Sequence, residues 1–275
     1  MMQIDQYFLG YRQGEQERLQ RQAEMLAGDA QGLFDQIGVF PGAQVVEIGC
    51  GPRGCLDLLA DRTGPRGSVT GVERNEDAVR LARQFVAERK LVNVDVVHAD
   101  GRSTGLPKSS YDFATARFVL VNVPHPQQII AEMVTLVRPG GTVALYEADL
   151  LGVFCDPPLP AWNQLIEVLQ AYAEMNEIDL FVGRKTPRML REAGLIDVQT
   201  EPIARISPQG HGHRALLLYF AENLRDRLLA RNIVARKELD DLVGDVKRHI
   251  DDPHTLVLGG LFFHTWGRRP AQKVN

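Results

Sequence analysis

Gly49-Cys50-Gly51-Pro52-Arg53-Gly54 follows the mostly apolar run 43–48 and leads into a helical pattern from Cys55 to Arg62. A G-x-G-x-x-G stretch between a strand and a helix lets the backbone approach a ligand closely at a helix N-terminus. Glu73 closes the next strand pattern, 19 residues after Gly54, where an acid can hold ribose hydroxyls. Taken literally, these residues spell a nicotinamide dinucleotide site. Glu47, two residues before Gly49, opposes that reading. A carboxylate there repels a pyrophosphate and suits a cationic head. S-adenosylmethionine carries an ammonium, a sulfonium, a ribose and an adenine but no phosphate, and Glu47 with Glu73 fits that inventory.

These residues need elements to position them. Strands are predicted at 43–48, 68–73, 94–98, 111–115 and 142–148. Helices are predicted at 15–37, 55–62, about 76–90, where Asn75 offers an N-cap, and 126–137, where Pro139-Gly140-Gly141 stops the helix. Strands alternating with helices imply βαβ units and a parallel sheet covered on both faces. Ligands of such sheets bind at the carboxyl ends of the strands, and every unusual cluster above sits just after a strand. Beyond 150 the pattern changes. Pro157-Pro158-Leu159-Pro160 reads as a rigid linker, and helices are predicted at 161–178, 186–193, 210–231 and 237–250, with strands at 196–206 and 255–266.

Val45-Val46-Glu47-Ile48-Gly49-Cys50-Gly51 resembles the first motif of class I S-adenosylmethionine-dependent methyltransferases. The resemblance continues through 71–74, Ala99-Asp100-Gly101, Phe118–Asn122 with Pro124-His125-Pro126, and 138–143, and covers about residues 40–150 in the family's order. Within the family the chain resembles the small-molecule branch around the ubiquinone and menaquinone C-methyltransferases. Arg53 departs from the family, which usually has glycine there.

The resemblance implies an α/β, Rossmann-like methyltransferase fold. Its sheet would have seven mostly parallel strands with an antiparallel last strand, helices on both faces and a helical cap. The division expected is a cap segment and helix at 1–39, a cofactor core at 40–150, and at 151–275 the rest of the sheet (strands about 196–206 and 254–267) with cap insertions at about 152–182 and 207–251, all in one structural domain. The cofactor set implied is Tyr11, Glu47, Gly49, Cys50, Gly51, Glu73, Arg74, Asp100, Gly101, Arg117 and Phe118. Glu73 would take the ribose hydroxyls and Asp100 the adenine amine. S-adenosylmethionine would leave as S-adenosylhomocysteine.

On the acceptor side, Glu147 ends the fifth strand beside Asp149 and is a candidate base, or else a partner for Arg184. His211, which with His213 brackets Gly212, is the second candidate base. Tyr7, Asn122, Glu147, Trp162 and Phe181 are candidate acceptor contacts, while His98 and His264 read as structural. No metal site is expected.

The formal net charge of −4 gives no footprint for nucleic acid, and no apolar run approaches a bilayer span. Three cysteines without a Cys-x-x-Cys pair, and no visible signal peptide, point to a reducing, cytoplasmic setting. The partner expected is a small, partly apolar acceptor methylated at O, C or N, and a homodimer stays open. The long cap leans toward natural-product biosynthesis. Two other readings stay in view: a protein or cyclase that binds S-adenosylmethionine without methylating, and an NAD-dependent oxidoreductase.

Overall fold

The computed structural model describes residue 19 and residues 23–271. Among the described residues eight strands form one sheet: β1 (Gln44–Ile48), β2 (Ser68–Glu73), β3 (Val94–His98), β4 (Tyr111–Arg117), β5 (Val137–Ala148), β6 (Phe154–Asp156), β7 (Ile196–Ile206) and β8 (Leu256–Arg268). The helices are α1 (Ala27–Gln36), α2 (Leu56–Thr63), α3 (Glu76–Glu88), α4 (Pro126–Leu136), α5 (Pro160–Glu174), α6 (Thr186–Glu192), α7 (Leu216–Ala230) and α8 (Arg236–Asp251).

β1 to β5 pair in parallel in the order β3-β2-β1-β4-β5, and β8 then joins β5 antiparallel. Leu258 pairs with both Phe154 of β6 and Ile206 of β7, so these two strands lie on opposite edges of β8. β5 pairs with β8 over residues that β7 also pairs, which puts β6 on the β5 edge as its short continuation. The sheet is therefore eight strands by count and seven wide. β6 falls where the sequence reads as the approach to a linker; a strand of three residues carries no periodicity to find.

The central strands are buried on both faces, as parallel strands between helix layers must be. Successive side chains alternate faces. Val46 and Ile48 join the core built with α4, α5, α7 and α8, and Val45 joins the core built with α1, α2 and α3. Asn75 caps α3 by accepting the N–H of Ala78 at 2.8 Å. Pro126 opens α4 at a position where its missing N–H costs nothing.

The C-terminal half is tied back by Arg214. This buried guanidinium donates to the carbonyls of Ser207, Ile250, Asp252 and Thr255. It joins the end of α8 to the ends of β7 and β8. From β1 the chain steps outward through β2 and β3, then returns to place β4 on the other flank. That reversal opens a crevice above the carboxyl ends of β1 and β4, where ligands of open α/β sheets sit.

Candidate active site

A cavity fills this crevice. Its first half is lined by Gly49–Pro52, Glu73, Arg74 and Ala99–Arg102, after β1, β2 and β3. Its second half is lined from the ends of β4 and β5, by Phe262 of β8 and by His213, Leu216 and Phe220 at the start of α7.

Two glycines have steric reasons. Gly49 has φ +69°, and a Cβ there would stand 2.5 Å from Val119, so the loops after β1 and β4 close up only around glycine. Gly51, at φ +56°, faces open space. Its N–H donates to Glu73 Oε2 at 2.9 Å, and Asn75 N–H donates to Oε1 at 2.8 Å. An ionised carboxylate offers about four lone-pair sites. One backbone donor on each oxygen orients Glu73 and leaves acceptor capacity on both, which matches two neighbouring hydroxyl groups.

Asp100 is on the cavity wall with its carboxylate held by its neighbour. Arg102 approaches Oδ2 at 2.6 Å through Nη2 and Oδ1 at 3.0 Å through Nε, and its backbone N–H reaches Oδ1 at 2.9 Å. The Arg102 side-chain hydrogen bonds keep the carboxyl below the usual aspartate range against desolvation. The sequence reading had missed Arg102. Gly101 is forced by space, since a Cβ would meet Ile48 at 2.6 Å.

Glu47 has a backbone partner in the structure. It borders the cavity, but both of its oxygens accept the Cys55 N–H, at 2.9 and 3.0 Å. Strand alternation turns it onto the face covered by α2, where it caps that helix. Burial pushes its carboxyl up to about 7, against the Arg117 guanidinium and the Cys55 N–H. Arg117 also lines the cavity; it donates from Nη2 to the Gly54 carbonyl at 3.0 Å, and its buried Nη1 has no hydrogen-bond partner. Cys50 is buried on the cavity wall, and burial raises its thiol well above the ordinary cysteine value.

Glu147 is not where an acceptor contact would be. It is 0% exposed, absent from the cavity wall, and its carboxylate accepts N–H groups from Val119 (2.9 Å), Leu120 (2.9 Å) and Val121 (3.3 Å). It is the anchor of the turn after β4. Burial pushes its carboxyl up to about 8 against these three donors. Buried and off the cavity wall, it does not face the space an acceptor would occupy. The partner foreseen for it, Arg184, binds Asp149 instead. The anchored turn holds Phe118 at φ +53°, an uncommon conformation for a residue with a side chain, with its N–H on the Tyr146 carbonyl at 2.9 Å.

Three more candidates are elsewhere. His211 is exposed, and its Nδ1 accepts the His213 N–H at 3.2 Å; His213, not His211, reaches the cavity. Trp162 is 2% exposed in the core beside α5, and its Nε1 donates to the Val153 carbonyl at 3.4 Å. Phe181 lies under the Arg184 guanidinium, 4.8 Å from its ring centre, away from the cavity. Asn122 does line the cavity. Tyr7 and Tyr11 lie outside the described residues. Phe262 was missed because its place depends on register: it pairs with Ala148 at the end of β5. Among the described residues no group of three or more His, Cys, Asp or Glu could hold a metal ion.

A family described as "Methyltransferase domain" matches residues 46–145, the segment that supplies most of the first half of the cavity. Residues 46–145 are similar to that family. A demethylmenaquinone methyltransferase of Listeria monocytogenes is 31% identical to the chain over 134 residues, 49% of this chain and 54% of the relative. The chain thus spans about half the length of that relative. Two solved structures show the same fold. Haemonchus contortus phosphoethanolamine N-methyltransferase 2, in complex with phosphomonomethylethanolamine and S-adenosylhomocysteine, superposes with a TM-score of 0.56 at 16% identity, over 89% of this chain and 53% of that one. The [4+2]-cyclase SpnF gives 0.52 at 19% identity, over 87% and 79%. Within the matched segment, Gly49, Gly51, Glu73, Asp100, Gly101, Arg117 and Phe118 all border one cavity.

Proposed function

We propose that the protein is an S-adenosylmethionine-dependent methyltransferase acting on a small, partly apolar acceptor. The observation that carries this reading is Glu73, oriented by Gly51 and Asn75 and left with acceptor capacity on both oxygens at the mouth of the glycine loop. When bound, S-adenosylmethionine supplies a methyl group on a positively charged sulfur and leaves as S-adenosylhomocysteine.

The chain's own residues divide the remaining work. Glu73 accepts from the ribose hydroxyls. The Asp100–Arg102 pair closes the adenine end, and Gly49 and Gly51 bring the backbone up to the methionine moiety. The unpartnered Nη1 of Arg117 is suited to the methionyl carboxylate. Phe118, Leu216, Phe220 and Phe262 exclude water from the acceptor side. Orientation of a nucleophile against a good leaving group can supply roughly 7–11 kcal/mol of barrier reduction, so a strong base is not required. We read the chain as one folding unit working in a reducing compartment, a setting supported by its three buried, unpaired cysteines.

A second reading, a protein or cyclase that binds S-adenosylmethionine without transfer, is favoured by the commitment of Glu147 to three backbone donors. Titration calorimetry with S-adenosylmethionine, S-adenosylhomocysteine and NADH tests the cofactor. Saturable binding of the two sulfur ligands alone is expected, and binding of NADH alone overturns the proposal. Release of S-adenosylhomocysteine with a labelled acceptor then separates transfer from binding without transfer.

A further inference from the structure

Glu73 and Asp100 come from the ends of neighbouring strands. His98 pairs with Glu73 in the register of β2 and β3, and the Ala99 N–H donates to the Glu73 carbonyl at 3.0 Å. Both acids line the first half of the cavity. They differ in what they can still accept. A carboxylate has about four lone-pair sites. Glu73 takes one backbone N–H on each oxygen, from Gly51 and Asn75, and keeps capacity on both.

Asp100 has no such reserve. Its Oδ1 accepts the Arg102 backbone N–H at 2.9 Å and Nε at 3.0 Å. Its Oδ2 accepts Nη2 at 2.6 Å and the second arm of Nε at 3.2 Å. Two contacts on each oxygen use up the sites. The turn itself enforces the pairing, since the Ser103 N–H donates to the Asp100 carbonyl at 3.0 Å and folds Arg102 back over the acid. The Arg102 hydrogen bonds also keep the carboxyl below the usual aspartate range, so the acid is ionised and the contacts are charge-assisted. Such contacts are about twice as strong as neutral ones. The exocyclic amine of a purine is a neutral donor and does not displace a guanidinium held in this way.

We propose that Arg102 is a specificity-determining residue: by occupying the Asp100 carboxylate it leaves position 6 of the purine unread, so that a 6-oxo purine binds as well as a 6-amino one. The proposal rests on the S-adenosylmethionine reading and deepens it, and it departs from the expectation that Asp100 takes the adenine amine. A site selects for a polar group only where its own polar atoms are left unpaired without that group. Here they are paired within the protein, and the neutralised carboxylate presents no bare charge to a 6-oxo group. Recognition of the nucleoside then falls to Glu73 and the ribose.

The test is calorimetry on the full chain with S-adenosylhomocysteine and S-inosylhomocysteine, and with adenosine and inosine as probes that lack the sulfur-bearing tail. The wild type is expected to bind the two members of each pair within about threefold of each other. Arg102→Met keeps the stem and frees the carboxylate, and should favour the 6-amino member by about tenfold or more, the gain of one hydrogen bond to a charged group. The ratio between ligands that differ at one group does not move with a general loss of structure, and the wild-type ratio needs no variant to fold. A larger wild-type preference for the 6-amino ligands, an unchanged ratio in Arg102→Met, or binding of none of the four ligands would each overturn the proposal. If both homocysteine ligands fail to bind while adenosine and inosine follow the expected pattern, the S-adenosylmethionine reading falls and the role of Arg102 stands.

Discussion

Glu73 and Glu147 are both acids at strand ends, and their surroundings give them different work. Glu73 is half-buried on the cavity wall with one backbone donor on each oxygen. Glu73→Ala should weaken S-adenosylhomocysteine by more than about tenfold, because charge-assisted bidentate contacts are the strong ones; calorimetry reads this directly, and unchanged affinity removes Glu73 from the site. Glu147 is fully buried and accepts from three successive backbone N–H groups. Glu147→Gln replaces an acceptor oxygen by an NH₂ that faces other donors. It should cost about 1–3 kcal/mol of stability, the range for leaving a buried polar group unsatisfied. Urea denaturation checks this, and a wild-type midpoint would show that the turn after β4 does not depend on the carboxylate.

At the scale of elements, the cavity depends on connections that hold its two halves together. The second half includes the segment leading into α7, and that segment is fixed by Arg214 to four carbonyls from the ends of β7, β8 and α8. Arg214→Met keeps much of the stem but leaves these carbonyls without their donor. Hydrogen bonds to a charged group are worth roughly 1.5–3 kcal/mol each, so a loss of at least about 2 kcal/mol is expected in the denaturation midpoint, with His213, Leu216 and Phe220 displaced in consequence. On the opposite face Asp29 of α1 accepts from Tyr146 of β5 at 2.9 Å and pairs with Arg205 of β7, which ties the N-terminal helix across the sheet.

At the scale of the whole molecule, buried titratable groups set the pH dependence. His264 is held near pKa 4 by desolvation, packed edge-on against Tyr146, with the Asp29 carboxylate opposing the shift. Its folded value is depressed below the unfolded value of about 6.5. Between these values the unfolded chain binds the extra proton, so the stabilisation is fully present above about pH 6.5 and is lost as pH falls toward about 4. His213 is shifted in the same direction. Glu47 and Glu147, raised to about 7 and about 8, act in the opposite sense, their contribution falling as pH rises through those values. The histidine share is isolated by comparison: His264→Phe should lose less stability than the wild type between about pH 6.5 and pH 4, measured by denaturation at each pH. Parallel curves would show that His264 does not titrate on unfolding.

The alternating strands and helices, the glycine loop, Asn75 as a cap and the acids after β2 and β3 were legible in the sequence because they depend on local rules: hydrophobic period, capping, and backbone conformations that require glycine. β7 was placed from its pattern at residues 196–206, the bounds it has in the fold. Side-chain direction and partners were not legible. That Glu47 caps α2, that Glu147 anchors a turn 26 to 28 residues earlier in the chain, that Asp100 is paired with Arg102, and that His213 rather than His211 reaches the cavity all follow from tertiary contacts. Phe262 enters the site through the antiparallel register of β8 on β5. Sequence by itself determined where most elements run and which loops border the cavity, since period and capping act within one element. Only the tertiary structure decided which acids stay available, because a buried carboxylate takes whichever donors the fold brings to it.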